Sequence, residues 1–270
     1  GGTPLHNSRI KIAGYYKVLS AAKENPWASD PSKKSNTSDN KELSCRRSFN
    51  LLFSDGAWNP GTHAGQSGNA NDFTDAATAI TGTVDGAPVS FKYKATGDAS
   101  DTKLYTPYGN SRVGGLADLA ATYAWKQDFR SSLDNRIIPT DGKPMFWQNM
   151  ITYTVGYMIT PSGTNKSGGL TFDQIQEYNK FYKKNGYAAV VDNDLLPIWA
   201  TGETDPERVD DFIQAGFTGG GAGYSVSSSD DIRRTFDTIT SDILNSEGKD
   251  AGVAASSSGS GANSLSTSAV

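Results

Sequence analysis

The residues best placed to do chemistry are Asp55, with Ser54 before it, and Thr3. Residues 48–59 read S-F-N-L-L-F-S-D-G-A-W-N. A short apolar run bounded by turn residues suits a strand buried on both faces, the kind found in a mostly parallel sheet covered by helices. Ser54, Asp55 and Gly56 then fall at the carboxyl end of that strand, where open α/β sheets bind their ligands. Capping of the loop after the strand accounts for Asp55 equally well. Thr3 stands before Pro4, which suits an N-cap followed by proline at the first helical position. A hydroxyl and a carboxylate on neighbouring strand-end loops can hold a hard divalent cation through oxygen ligands. Spacing alone leaves both roles open for Thr3 and for Asp55.

Several other chemistries are set aside. The two histidines, His6 and His63, lie at no metal-ligand spacing with each other or with cysteine. Neither G-x-S-x-G nor G-x-x-x-x-G-K-[ST] occurs. The run Gly219-Gly220-Gly221-Ala222-Gly223 follows a helix and precedes a strand, the reverse of a dinucleotide loop, and reads as a flexible turn. Asp72, Asp75, Asp98 and Asp101 do not match a calcium-binding loop and read as solvated loop residues. No nucleophile with an adjacent base is visible, so the protein is expected not to be an enzyme.

The 270 residues suffice for one large domain. A net charge of −4 and a pI near 5.2 leave no nucleic-acid footprint. No apolar run is long enough to span a bilayer, so membrane insertion is not expected. The chain opens on Gly1-Gly2 rather than Met and reads as a processed piece, so a missing targeting signal says nothing about compartment. The one cysteine, Cys45, cannot form an internal disulfide and suits a small, partly buried side chain at a strand start.

The elements that would position Thr3 and Asp55 follow in order. A helix starts at Pro4, carries Leu5, Ile12, Tyr16 and Leu19 near one face, and ends between Ala22 and Asn25, before Pro26. Residues 26–42 read as an exposed loop. After the 48–53 strand comes a long insertion, 60–112, with its own hairpin at Val84-Asp85-Gly86-Ala87. A helix over 115–130, an apolar strand within 145–159, a helix from Thr171 and a helix from Thr204 to before Gly219 follow. Gly223–Val226 is a short strand, and Ser229 caps a helix with Ile232, Phe236, Ile239 and Ile243 on one face. Beyond Gly248 the Ala/Ser/Gly composition predicts a linker or disordered tail over 249–270, leaving 1–248 as the domain. The alternation is that of an α/β sandwich with a mostly parallel sheet. Such sheets usually place a strand ahead of the first helix, so the chain reads as truncated at its N-terminus.

Gly1-Gly2-Thr3-Pro4-Leu5 resembles the threonine loop of von Willebrand factor A domains, and Phe53-Ser54-Asp55-Gly56 their aspartate loop. The run from Cys45 to Asn59 resembles the type IV pilus PilY/PilC family of tip adhesins and assembly factors. So do Leu116–Arg130, Phe146–Gly156, Val209–Gly216 and Gly223–Val226, in that order along the chain. The resemblance implies a von Willebrand factor A-like (Rossmann-type) three-layer sandwich and a metal-ion-dependent adhesion site. Thr3 and Asp55 fall on the family's threonine and aspartate. Ser54 stands where a threonine is usual and would support the site. The family's D-x-S-x-S segment would lie on a strand before Gly1, and its calcium-binding β-propeller beyond the tail, so this chain would hold a partial site. Gln214 stands where the family often has histidine. The function so implied is adhesion or assembly at a pilus tip or cell surface. It would use Mg²⁺, Mn²⁺ or Ca²⁺ and take pilus subunits, minor pilins or a host or surface ligand as partner. The other class of function is a purely structural module of the pilus tip.

Overall fold

The computed structural model describes residues 5–17, 24–33, 40–55, 58–59, 78–92, 115–121, 126–140, 145–160 and 204–257. Within them the elements run α1 (Leu5–Lys17), β1 (Ser48–Ser54), β2 (Ile80–Val84), β3 (Ala87–Phe91), α2 (Leu116–Leu119), β4 (Met150–Tyr157), α3 (Asp205–Thr218), β5 (Gly220–Val226) and α4 (Ser229–Ser257). Strands β1, β4 and β5 form a three-stranded sheet in that order, with both pairings parallel. Mixed helices and a parallel sheet make an α/β architecture. The helix expected from Thr171 lies outside the described residues, as do Thr3 and most of the insertion.

The apolar run Met150–Val155 becomes the central strand and is buried along seven of its eight residues. Strand β1 is less enclosed than its sequence predicts. Among the described residues it has a neighbour on one side only, and Phe53 is 47 % exposed. An edge strand with one uncovered face exposes side chains that a central strand would bury.

Alternation sorts the side chains into two faces. Ser48, Asn50 and Leu52 share a face with Met150, Thr152 and Thr154, while Phe49, Leu51 and Phe53 share the other with Ile151, Tyr153 and Val155. Helix α1 meets the first face: Ala13 packs in one cluster with Met150, Trp27 and Phe129. Helix α4 meets the second, where the Tyr153 hydroxyl donates to the Asp242 carboxylate.

Local signals set most element ends. The Glu207 carboxylate accepts the Thr204 N–H at 2.8 Å to open α3, and Gly219 closes it. The β2–β3 hairpin turns at Asp85 (φ 50°) and Gly86 (φ 78°), the paired left-handed conformation that Asp-Gly favours. The hairpin is docked rather than free. Thr83 N–H bonds the Asn135 carbonyl at 3.1 Å, and Phe91 stacks on Trp147 at 4.7 Å.

Four stretches depart from the sequence reading. The glycine run forms strand β5 from Gly220, not a flexible turn, because backbone packs where a side chain would stand. A Cβ on Gly221 would lie 2.0 Å from the Thr152 carbonyl oxygen, and one on Gly216 2.4 Å from that of Ala222. The 26–42 loop is anchored: Trp27 is buried and donates its indole N–H to the Tyr16 carbonyl at 2.8 Å, and Arg130 clasps both Glu42 oxygens at 2.7 Å. Helix α2 is short and widens at Ala120–Ala121 into a π-turn, with Lys126 N–H bonded to the Ala121 carbonyl at 2.9 Å. Helix α4 runs through Gly248 to Ser257, into the Ala/Ser/Gly-rich stretch, and its opening cap is the Ser228 hydroxyl on Asp231 N–H at 3.1 Å.

Candidate functional site

The three parallel strands end on one rim, at Ser54, Tyr157 and Val226. Asp55 follows β1 directly and is exposed there. Ser54 donates its hydroxyl to Asp55 Oδ1 at 3.1 Å, so a hydroxyl and a carboxylate of neighbouring residues sit together at the carboxyl end of the sheet.

Trp58 ties this rim to two helices. It is 2 % exposed. Its ring meets the edge of His6, in the first turn of α1, at 4.5 Å and 75°. On the same indole the Arg208 guanidinium lies 5.4 Å from the ring centroid, reaching from the first turn of α3. Arg208 also pairs with Asp205 at 2.5 Å. The loop after β1 and the start of α1 therefore meet at the same end of the molecule. Thr3 lies outside the described residues.

The donor set at Asp55 and Ser54 is made of oxygen, which suits a hard cation such as Mg²⁺, Mn²⁺ or Ca²⁺ rather than a soft one. Such ions take six or more oxygen ligands, waters included. Among the described residues no three His, Cys, Asp or Glu side chains gather into a metal cluster. The chemistry of the two residues thus fits a divalent cation as part of a larger oxygen set. Gln214 is not at this rim. It is buried in α3, nine residues past Asp205, or about 13 Å along a helix at 1.5 Å per residue.

Charged groups that the sequence reading passed over are buried beneath the rim. The Asp211 carboxylate, 1 % exposed, accepts the N–H of Leu116 at 2.8 Å and of Ala117 at 3.1 Å, capping α2 from another helix. Arg9 is fully buried on α1, and among the described residues its three guanidinium nitrogens have no hydrogen-bond partner. Burial pulls its pKa down to about 9. On the opposite face the Tyr224 hydroxyl is pushed up to about 12, first by burial and then by the Asp242 charge. Tyr153, bonded to Asp242, is raised further for the same reasons in the same order. Trp58 carries a local signal, a large aromatic just after a strand-end Asp-Gly. His6 and Arg208 carry none, since their shared partner lies about 50 and 150 residues away in sequence.

The chain is similar to three curated proteins. Over 262 residues the chain is 27 % identical to the type IV pilus biogenesis factor PilY1 of Pseudomonas aeruginosa strain UCBPP-PA14, covering 90 % of this chain and 19 % of that protein. It is likewise 27 % identical over 268 residues to PilY1 of strain PAO1, covering 93 % and 19 %. To PilY1 of strain PAK it is 29 % identical over 198 residues, covering 65 % and 14 %. The chain thus spans a fifth or less of the length of the curated relatives it matches. No family model matches it, and no solved structure does.

Proposed function

We propose that this chain is a von Willebrand factor A-like module of a type IV pilus-associated surface protein. It acts in adhesion or assembly, by binding rather than by catalysis. Similarity to a pilus biogenesis factor supports the setting. The observation that carries the site is the contact of His6 with Trp58. It brings the first turn of α1 to the rim that bears Asp55 and Ser54. Thr3, Asp55 and Ser54 would offer oxygen ligands to a divalent cation, and the bound cation would supply an electrophilic centre for an acidic group of the partner. The partner is a pilus subunit, a minor pilin, or a host or surface ligand, met at the pilus tip or cell surface.

The test is Mg²⁺- or Mn²⁺-dependent partner binding by the full-length protein, compared with Asp55→Ala. Loss of the metal-dependent part in Asp55→Ala is expected; equal metal-dependent binding by both forms ends the metal-site reading. One observation favours a second reading, a purely structural module of the pilus tip. Among the described residues the only bond on Asp55 comes from its neighbour Ser54, as in a loop-capping residue. On that reading Asp55→Ala leaves adhesion and piliation intact and lowers stability slightly.

A further inference from the structure

Asp55 is exposed and carries a bond from Ser54, which belongs to the same strand end. That bond cannot fix where the loop after β1 runs relative to the helices. The group that does so is Trp58, three residues on. Its indole lies in a T-shaped contact with His6 and under the guanidinium of Arg208. Both contacts are directional: an edge-to-face pair and a cation over a ring each favour one orientation of the indole. Both partners sit in first turns that are themselves held. Arg208 pairs with Asp205 at 2.5 Å and gives its backbone N–H to Thr204 at 2.9 Å, while His6 is buried one residue into α1. The indole therefore locks three segments of one rim together, and a ligand set drawn from separate segments works only when they are locked.

We propose that Trp58 is a positioning residue for the Asp55 site, holding the strand-end carboxylate in register with the first turns of α1 and α3 before any ligand arrives. This rests on the reading of Asp55 as a cation ligand. An indole offers no oxygen ligand to a hard cation, so Trp58 acts through Asp55. Its part is to make the site pre-formed, so that binding does not have to order the loop.

The experiment is Mn²⁺ binding by the full-length protein, followed by water-proton relaxation and by tryptophan fluorescence, in wild type, Asp55→Ala, Trp58→Phe, Trp58→Leu and Arg208→Met. Wild type should bind Mn²⁺ with saturable quenching of its fluorescence, and Mg²⁺ should compete without quenching. Trp58→Phe keeps an aromatic face and should bind within about threefold of wild type while losing most of the quenching. Trp58→Leu should bind at least tenfold more weakly, and Arg208→Met should fall between. Mn²⁺ affinity in Trp58→Leu within threefold of wild type overturns the proposal. Should Trp58→Leu fail to fold, an Arg208→Met protein that binds as wild type does overturns it instead. Failure of the underlying site looks different: Asp55→Ala then binds Mn²⁺ as wild type does, or wild type binds none.

Discussion

Asp211 caps a helix it does not belong to. Helix α2 starts after Gly115, a residue with no side chain to offer its first amides. The Asp211 carboxylate accepts two of them, from Leu116 at 2.8 Å and Ala117 at 3.1 Å. Both residues are fully buried, so water cannot take over when the carboxylate is removed. Orphaning a buried donor costs about 1–3 kcal/mol, so Asp211→Ala should lose about 2–6 kcal/mol, centred near 4. For a chain of this size each kcal/mol lowers Tm by about 2–4 °C, which predicts a fall of about 8–16 °C. Asp211→Asn keeps one acceptor oxygen and turns an NH₂ toward the other amide, so it should lose about half as much. Calorimetry on the purified protein reads both, at pH 7 and matched concentration. An Asp211→Ala protein melting within about 2 °C of wild type, or an Asn variant less stable than the Ala variant, refutes the capping argument.

Two further expectations follow from the buried charges. Arg9→Met should stabilise the protein, because the guanidinium is buried and has no hydrogen-bond partner among the described residues. A fall of its pKa to about 9 corresponds to roughly 5 kcal/mol as an upper bound, so a gain of about 2–4 kcal/mol is expected at pH 7. The folded value lies below the unfolded one, so the penalty is full below pH 9 and fades above it. A thermal melt showing no gain at pH 7 contradicts this. Tyr224 has the opposite sign. Its folded pKa of about 12 exceeds the ordinary tyrosine value of about 10, so the stabilisation is intact below pH 10 and is lost as pH climbs from there to 12. Denaturant unfolding across that range should show stability falling by up to about 1.4 kcal/mol per pH unit from this group. Tyr224→Phe should make the slope shallower, and an unchanged slope counts against the assignment.

What could be read from the sequence was local. An apolar run ending in Ser54-Asp55-Gly56 marked β1, and a longer one marked β4. Asp85-Gly86 marked the hairpin, and Thr204-Asp205-Pro206-Glu207 with Gly219 marked both ends of α3. Each of these depends on partners within a few residues, and caps and turns are satisfied by their own neighbours. The placement of Asp55 at a strand's carboxyl end follows from the same local pattern.

Tertiary structure decided whatever depended on distant partners. The glycine run is a strand because Thr152, far back in the chain, packs its backbone against Gly221. Trp27 is buried because α1 and Phe129 enclose a loop that is polar by composition. Asp211 is a cap only because the fold brings the open amides of α2, 95 residues earlier, against it. His6, Trp58 and Arg208 meet on one rim only because parallel strands put successive loops at the same end of the sheet, whatever their distance in sequence. The amino-acid pattern could nominate a carboxylate and a hydroxyl. Which side chains hold them in place is a property of chain topology, since it rests on contacts between residues that no sequence period relates.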